Sequence, residues 1–360
     1  MPGTWFYSLC LGLQLAVAFA PASVSSAVRS HEIQLRHNQY RVAPAPALLQ
    51  SAGFHKVILR VFSDDEKNGG LYFINPDYKT VRPVLDAWAP RFAGGQVGLW
   101  AWMGGRYFSW MKDVRLLDSE WKNSRKHVIP KLDLFNPDAE RLIIDLFRQL
   151  AEKPIQGILI QDDLTLRRSE GFSNWGKAYF TLCSGLPADE RRMAQNGSAV
   201  NRAWERCKCQ RLAQLLEKII RACKAVNPRI QIGMNIHYEL PLEPQQARSW
   251  YAHDLEALAA SGLDYFYLMA YHRQIQSELA LSETANRAYF ARMTAAALEH
   301  FGPRLVVKLQ ARDWRSGALI PFDELKAYYD LIPAKVGRVC FAAVDPEDIS
   351  LIAQIIKPVR

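Results

Sequence analysis

The chain has 360 residues, 49% of them hydrophobic and 22% charged, which suffices for one large core or two ordinary ones and excludes intrinsic disorder, a collagen-type fibre and a multi-span membrane protein. Forty-five Lys plus Arg against 36 Asp plus Glu leave a formal charge of +9, with both signs interspersed along the chain. The richest basic stretch, Lys112 to Lys131, is interrupted by Asp113, Asp118 and Glu120, so the surface reads as weakly basic and well solvated, and nucleic acid is not an expected partner.

Met1 to Ala27 contains no charged side chain, and its apolar run from Trp5 to Ala20 leads to Ser25-Ser26-Ala27, small residues of the kind a signal peptidase reads. Residues 1–27 are therefore expected to be a signal peptide or, if uncleaved, a membrane anchor. Residues 28–360 form the working domain, periplasmic or secreted.

Beyond residue 30 one rhythm recurs: a short apolar run, a polar loop, a longer stretch of helical periodicity, then another apolar run. The strand candidates are His31 to Arg36, His55 to Phe62, Gln96 to Met103, Gly157 to Asp162, Ile230 to Ile236, Leu263 to Tyr271, Arg304 to Ala311 and Gly337 to Val344. Eight such units favour an α/β fold closed as a single-domain (β/α)8 TIM barrel over an open sheet. Helices are expected over Pro137 to Lys153, where Leu142, Ile143, Leu146, Phe147 and Leu150 make one apolar stripe, and over Ala203 to Val226. The three long loops, Asp64 to Tyr78, Gly104 to Asn136 and Leu164 to Ala203, each leave the carboxyl end of a strand, where barrel active sites are built.

Export would expose Cys183, Cys207, Cys209, Cys223 and Cys340 to oxidation, and a disulfide from Cys183 to Cys207 or Cys209 is plausible. Cys207-Lys208-Cys209 lacks a second ligand pair at finger-like spacing, so neither a metal nor another cofactor is expected.

The chemistry gathers at the strand ends. Gly157-Ile158-Leu159-Ile160 runs through Gln161 into Asp162-Asp163, and adjacent strand residues face opposite ways, so one of the two carboxylates is expected to enter the barrel mouth. Two acids at a buried strand end repel each other and lose solvation, which prepares a general acid; the alternative is that one Asp caps the following segment. Tyr72, Phe73, Trp100, Trp102, Tyr107, Phe108 and Trp110 cluster at the same presumed face, as sugar-stacking surfaces or as core. His237 and His272, taken singly, read as structural histidines. No phosphate loop, nucleotide fingerprint or Ser-His-Asp order competes, so carboxylates plus aromatics favour glycoside chemistry.

From about His31 to Ile349 the chain resembles the C-terminal glycoside hydrolase domain of the periplasmic poly-β-1,6-N-acetylglucosamine N-deacetylases of biofilm-forming bacteria. The resemblance rests on Val57-Ile58-Leu59-Arg60-Val61-Phe62-Ser63-Asp64, Ala101-Trp102-Met103, Leu134-Phe135-Asn136-Pro137, Gly157 to Asp163, Asn235-Ile236, Met269-Ala270, Leu309-Gln310-Ala311-Arg312-Asp313-Trp314 and Asp345-Pro346-Glu347-Asp348, in matching order and spacing. It implies a barrel that hydrolyses partially de-N-acetylated β-1,6-linked glucosamine polymer, with the essential acid on Asp162 or Asp163: Asp162 ranks first, because it follows the strand directly, and Asp163 is then its partner in positioning substrate or tuning that acid. Trp102, Asp313 and Trp314 would line the sugar groove, with Asp64 and Asp345 as further mouth carboxylates; Tyr271, an aromatic group at its strand end where the family's pattern is diluted, is expected to contact substrate as well. Exopolysaccharide export machinery is the implied partner. The family's deacetylase half is not matched, so no deacetylase activity is expected. Gln161 stands where the family commonly has His, and Lys308 where it has an acidic residue; such changes alter the sugar accepted, and a basic groove would disfavour cationic glucosamine units. A polysaccharide-binding barrel without catalysis and a hydrolase of another hexosamine polymer are the alternatives.

Overall fold

The structure is a computed structural model that describes residues 29–36, 43–65, 67–108 and 110–356; the leader expected at residues 1–27 lies outside the described residues. Eight parallel strands form a closed barrel: β1 Ser30–Leu35, β2 Phe54–Arg60, β3 Gly98–Met103, β4 Gly157–Ile160, β5 Gln231–Ile236, β6 Tyr265–Ala270, β7 Leu305–Gln310 and β8 Arg338–Val344. Each strand pairs with its neighbours in sequence and β8 closes onto β1, so all eight expected strands are present, several trimmed by one or two residues.

Alternate side chains of each strand fill the barrel. Ile58, Trp100, Leu159, Tyr267, Val306 and Cys340 make one inner cluster, wholly buried. Trp100 fits because Gly157 and Gly233 face this space: a Cβ at Gly157 would collide with the Trp100 indole, and one at Gly233 with the Tyr267 ring. An ion pair between Lys56 and Glu32 (2.8 Å) is also buried inside, with the Tyr267 hydroxyl donating to Glu32 (2.8 Å) and the Lys56 ammonium 3.6 Å from the centre of a Trp100 ring. Two ions survive there because each has its counter-charge and hydrogen-bond partners at contact distance.

The outer faces of the strands bury under the helices. Pro137–Ala151 presents Leu142, Ile143, Leu146, Phe147 and Leu150 inward, and its start is fixed by Asn136, whose side chain accepts from the Asp138 N–H. The helix Ala199–Val226 begins four residues before its expected start, capped by Ser198, which accepts from the Asn201 N–H. Two long loops carry structure of their own. An antiparallel hairpin, Leu117–Lys122 with Arg125–Leu132, stands in the loop after β3, and the helices Asn174–Ser184 and Glu190–Ala194 lie in the loop after β4. Cys183 and Cys207 form a disulfide that ties Asn174–Ser184 to Ala199–Val226; Cys209 is a buried free thiol. No helix among the described residues is long and apolar enough to cross a membrane.

Candidate active site

The paired carboxylates at the end of β4 diverge. Asp163 turns toward the loop that leaves β3, where its two oxygens accept the backbone N–H groups of Gly105 (2.7 Å), Arg106 (2.9 Å) and Tyr107 (2.6 Å). Burial raises its pKa, while the three N–H groups oppose the rise. Gly105 is required by this approach, since a Cβ there would lie 2.7 Å from Cβ of Leu164. Among the described residues no side chain engages the carboxylate of Asp162. Its charge is felt instead by Tyr271 at the end of β6, by Lys308 on β7 and by His253, and its backbone carbonyl accepts from the ring of His237. Asp162 therefore looks over the mouth while Asp163 braces the wall.

The mouth rests on a deep ionic anchor. Arg106, fully buried, pairs with Asp118 and with Glu170 (2.6 Å), and donates to the carbonyls of Leu132 (2.7 Å) and Thr165 (2.7 Å). Lys131 adds a second cation on Glu170 at 2.6 Å. Burial opposes ionisation of Glu170, but the Arg106 and Lys131 charges bring it down to about 2, whereas burial pushes Asp118 up to about 7 against the pull of Arg106. This cluster clamps the hairpin after β3 to the loop after β4, and so fixes the segment that carries both aspartates.

At the mouth a cavity of about 210 Å³ is lined by Gln34 and Arg36 from β1 and its end, Trp102 from β3, Tyr271, which feels the Asp162 charge, Gln310 and Arg312 at the end of β7, Trp314 and Ala343. Several buried polar atoms here have no protein partner among the described residues: the indole nitrogen of Trp102, both amide heteroatoms of Gln310 and the amide oxygen of Gln34. Native interiors rarely leave such groups unpaired, and around an open cleft they are the donors and acceptors a polyhydroxylated ligand requires. Trp314 is 60% exposed, with the Arg315 guanidinium 5.0 Å from its ring centre. Lys308 is buried close to the cleft's Trp102: its ammonium donates to Asn235 (2.8 Å) and lies 5.8 Å from the Trp102 ring, and burial lowers its pKa to about 8.

The eight residues singled out in the sequence thus separate. Trp102, Tyr271 and Trp314 come together around the cleft that Asp162 overlooks. Asp163 is a brace. Asp313 holds its own turn, accepting from the N–H groups of Arg315 (2.8 Å) and Ser316 (3.2 Å), and so carries Trp314 rather than lining the cleft. Asp345 pairs with Arg36 (3.3 Å) and Arg312 (3.1 Å) at the rim and caps the turn at Pro346–Asp348; Asp64 pairs with Arg60 (2.8 Å). Of the two strand tryptophans, Trp100 is core and Trp102 is at the mouth; Tyr72, Phe73 and Phe108 are core as well. Sequence reasoning did not select Gln34, Arg36, Gln310 or Arg312 as site residues, although their places at the ends of β1 and β7 are a readable signal.

A (β/α)8 barrel with an acid at the end of β4, overlooking an aromatic cleft fringed by unpartnered polar groups, defines the glycoside hydrolase class. The profile of hypothetical glycosyl hydrolase family 13 matches residues 48–338, and the chain belongs to that family. It is a glycoside hydrolase. In fold it is similar to the glycoside hydrolase domain of PgaB (BpsB) from Bordetella bronchiseptica, at a TM-score of 0.75 and 19% identity, covering 92% of this chain and 100% of that one. It is also similar to the β-galactosidase of the psychrophilic Marinomonas ef1, at a TM-score of 0.66 and 10% identity over 90% of this chain and 59% of that one. No curated protein sequence matches the chain.

Proposed function

We propose that the chain hydrolyses a partially de-N-acetylated poly-β-1,6-N-acetylglucosamine-type exopolysaccharide from within the polymer, with Asp162 as general acid. The observation that carries this reading is the carboxylate of Asp162, unengaged among the described residues, whose charge acts on Tyr271, a wall of the cleft shared with Trp102 and Trp314. A pyranose ring stacks its C–H face on Trp314 or Trp102 while its hydroxyls take the unpaired groups of Gln34 and Gln310. Asp162 donates its proton to the departing glycosidic oxygen as positive charge develops on the sugar ring. The similarity in fold to the PgaB glycoside hydrolase domain supports the choice of polymer. The same reading implies a periplasmic or secreted protein working beside exopolysaccharide export machinery.

A second reading, hydrolysis of a different hexosamine polymer, is favoured by Lys308: a buried ammonium 5.8 Å from the ring of Trp102, which lines the cleft, disfavours the free amine of a glucosamine unit there. Incubation with fully acetylated and partially de-N-acetylated β-1,6-N-acetylglucosamine polymers and with other defined hexosamine polymers, followed by product sizing, separates the two. Shortening of the partially de-N-acetylated polymer supports the first reading; shortening only of another polymer selects the second.

A further inference from the structure

We infer that the mouth carries a second saccharide-binding platform, formed by Trp250, Trp121 and Arg167, which holds N-acetylated sugar units of the same polymer away from the bond being cleaved. The inference rests on the polysaccharide substrate proposed above. A separate cavity of about 330 Å³ is lined by Trp121, Arg167, Arg168, Ser169, Ala194 and Trp250. Its walls come from the hairpin after β3, the loop after β4 and the helix Pro244–Tyr251 after β5, all on the carboxyl-terminal face of the barrel. The 210 Å³ cleft is walled by residues of β1, β3, β6, β7 and β8 or their ends, whereas this cavity gathers residues from the segments after β3, β4 and β5, and Asp162 stands at the end of β4.

The platform is built rather than incidental. Trp250 is 48% exposed on a helix, a large flat face in water that the core does not need. Arg168 lies 6.0 Å from its ring and is held by two bonds to Ser249 (3.1 and 2.9 Å), which in turn donates to Glu205. The backbone beneath is pinned: the Leu166 N–H donates to Tyr251, the Trp121 N–H to Ser169, and the buried Lys208 ammonium to the carbonyl of Arg167 (2.9 Å). The side chain of Arg167 is exposed and has no acidic partner among the described residues. It stands five residues beyond Asp162 in the same loop, and its charge reaches His237, whose ring meets the Asp162 carbonyl.

Two indoles and two guanidiniums with no carboxylate in the lining select against a free amine. They suit a ring whose C–H face stacks on Trp250 and whose acetamido oxygen accepts from Arg167. A chain bound in both cavities would run past the β4 end that bears Asp162, the arrangement an endo-acting enzyme needs.

The test compares wild type, Trp250→Ala and Trp250→Phe on partially de-N-acetylated β-1,6-N-acetylglucosamine polymer and on trimers of the same sugar. The ratio of kcat/KM for polymer over trimer is expected to fall up to about tenfold in Trp250→Ala and to recover in Trp250→Phe. An unchanged ratio overturns the platform while leaving the proposed substrate standing. If wild type cleaves neither substrate, that reading fails by itself, and the platform is judged by electrophoresis through gels containing the fully N-acetylated polymer. Retardation of the Asp162→Asn chain that is lost in Asp162→Asn/Trp250→Ala sustains it; no retardation, or equal retardation of both, overturns it.

Discussion

Replacing Asp163 by Ala should cost stability first and activity as a consequence. Its carboxylate accepts three backbone N–H groups at 2.6 to 2.9 Å, and hydrogen bonds to a charged acceptor contribute about 1.5–3 kcal/mol each. Against that gain stands the cost of burying the carboxylate, the same effect that raises its pKa, so the net loss should be about 3–5 kcal/mol. Asp163→Asn keeps an acceptor oxygen but turns an amide toward N–H donors, and should lose about 2–3 kcal/mol. Urea unfolding followed by tryptophan fluorescence reads both, as a lower midpoint at unchanged slope. Asp162→Asn is the control: with no side-chain partner to lose, it should stay within about 0.5 kcal/mol of wild type. A stable but inactive Asp163→Ala, or an Asp162→Asn as destabilised as the Asp163 variants, would refute the division of labour between brace and acid.

Other outcomes follow from the same geometry. Trp314→Ala, at a position 60% exposed, should raise KM for polymer about five- to tenfold in steady-state assays while leaving the melting temperature within a degree or two. Burial lowers the pKa of His237 and of His253 from 6.5 to about 3, so the unfolded chain takes up these protons first. The stability they contribute is complete above pH 6.5 and lost as pH falls toward 3, by up to about 4 kcal/mol each, and His237→Gln should flatten that slope in denaturation measured across the window. Cys183→Ser opens a loop of 24 residues and should cost about 3 kcal/mol in oxidised protein and nothing after reduction, read by thermal denaturation with and without reductant. Ala343, at φ +62° where β8 bulges beside the cleft, should tolerate Gly with a small gain in stability and lose more than 1 kcal/mol as Val, checked by the same unfolding assay.

The barrel was legible because parallel strands covered by helices are apolar on both faces, and Val57 to Leu59 or Ile158 to Ile160 read as continuous hydrophobic runs. The hairpin at Leu117–Lys122 and Arg125–Leu132 was not: its residues are mostly polar, and it is held from below by Arg106, whose second counter-charge, Glu170, comes from the loop after β4. Its turn did leave a mark, since Asn123 and Ser124 both adopt positive φ, a conformation Asn tolerates well. The helices Asn174–Ser184 and Glu190–Ala194 had readable caps in Ser173 and Asp189, but short elements inside a loop carry too little periodicity to stand out. At the site, strand alternation does not reach Asp162 and Asp163, which lie in a turn beyond β4; they part because Asp163 takes three backbone N–H groups of the loop after β3. Alternation could not tell that Trp100 sits one layer deeper than Trp102, because both share a face and only the glycines opposite, Gly157 and Gly233, make the deeper layer roomy enough for an indole. Asp313 and Asp345 resembled mouth carboxylates by position, yet arginines and turn N–H groups at short range absorb both.

The most direct test is mass spectrometry of the products formed from partially de-N-acetylated β-1,6-N-acetylglucosamine polymer by wild type, Asp162→Asn and Asp163→Asn, each shown to be folded beforehand. Shortened oligomers from wild type, none from Asp162→Asn and a reduced yield of the same products from Asp163→Asn are expected. Undiminished cleavage by Asp162→Asn would contradict the assignment of Asp162 as the acid.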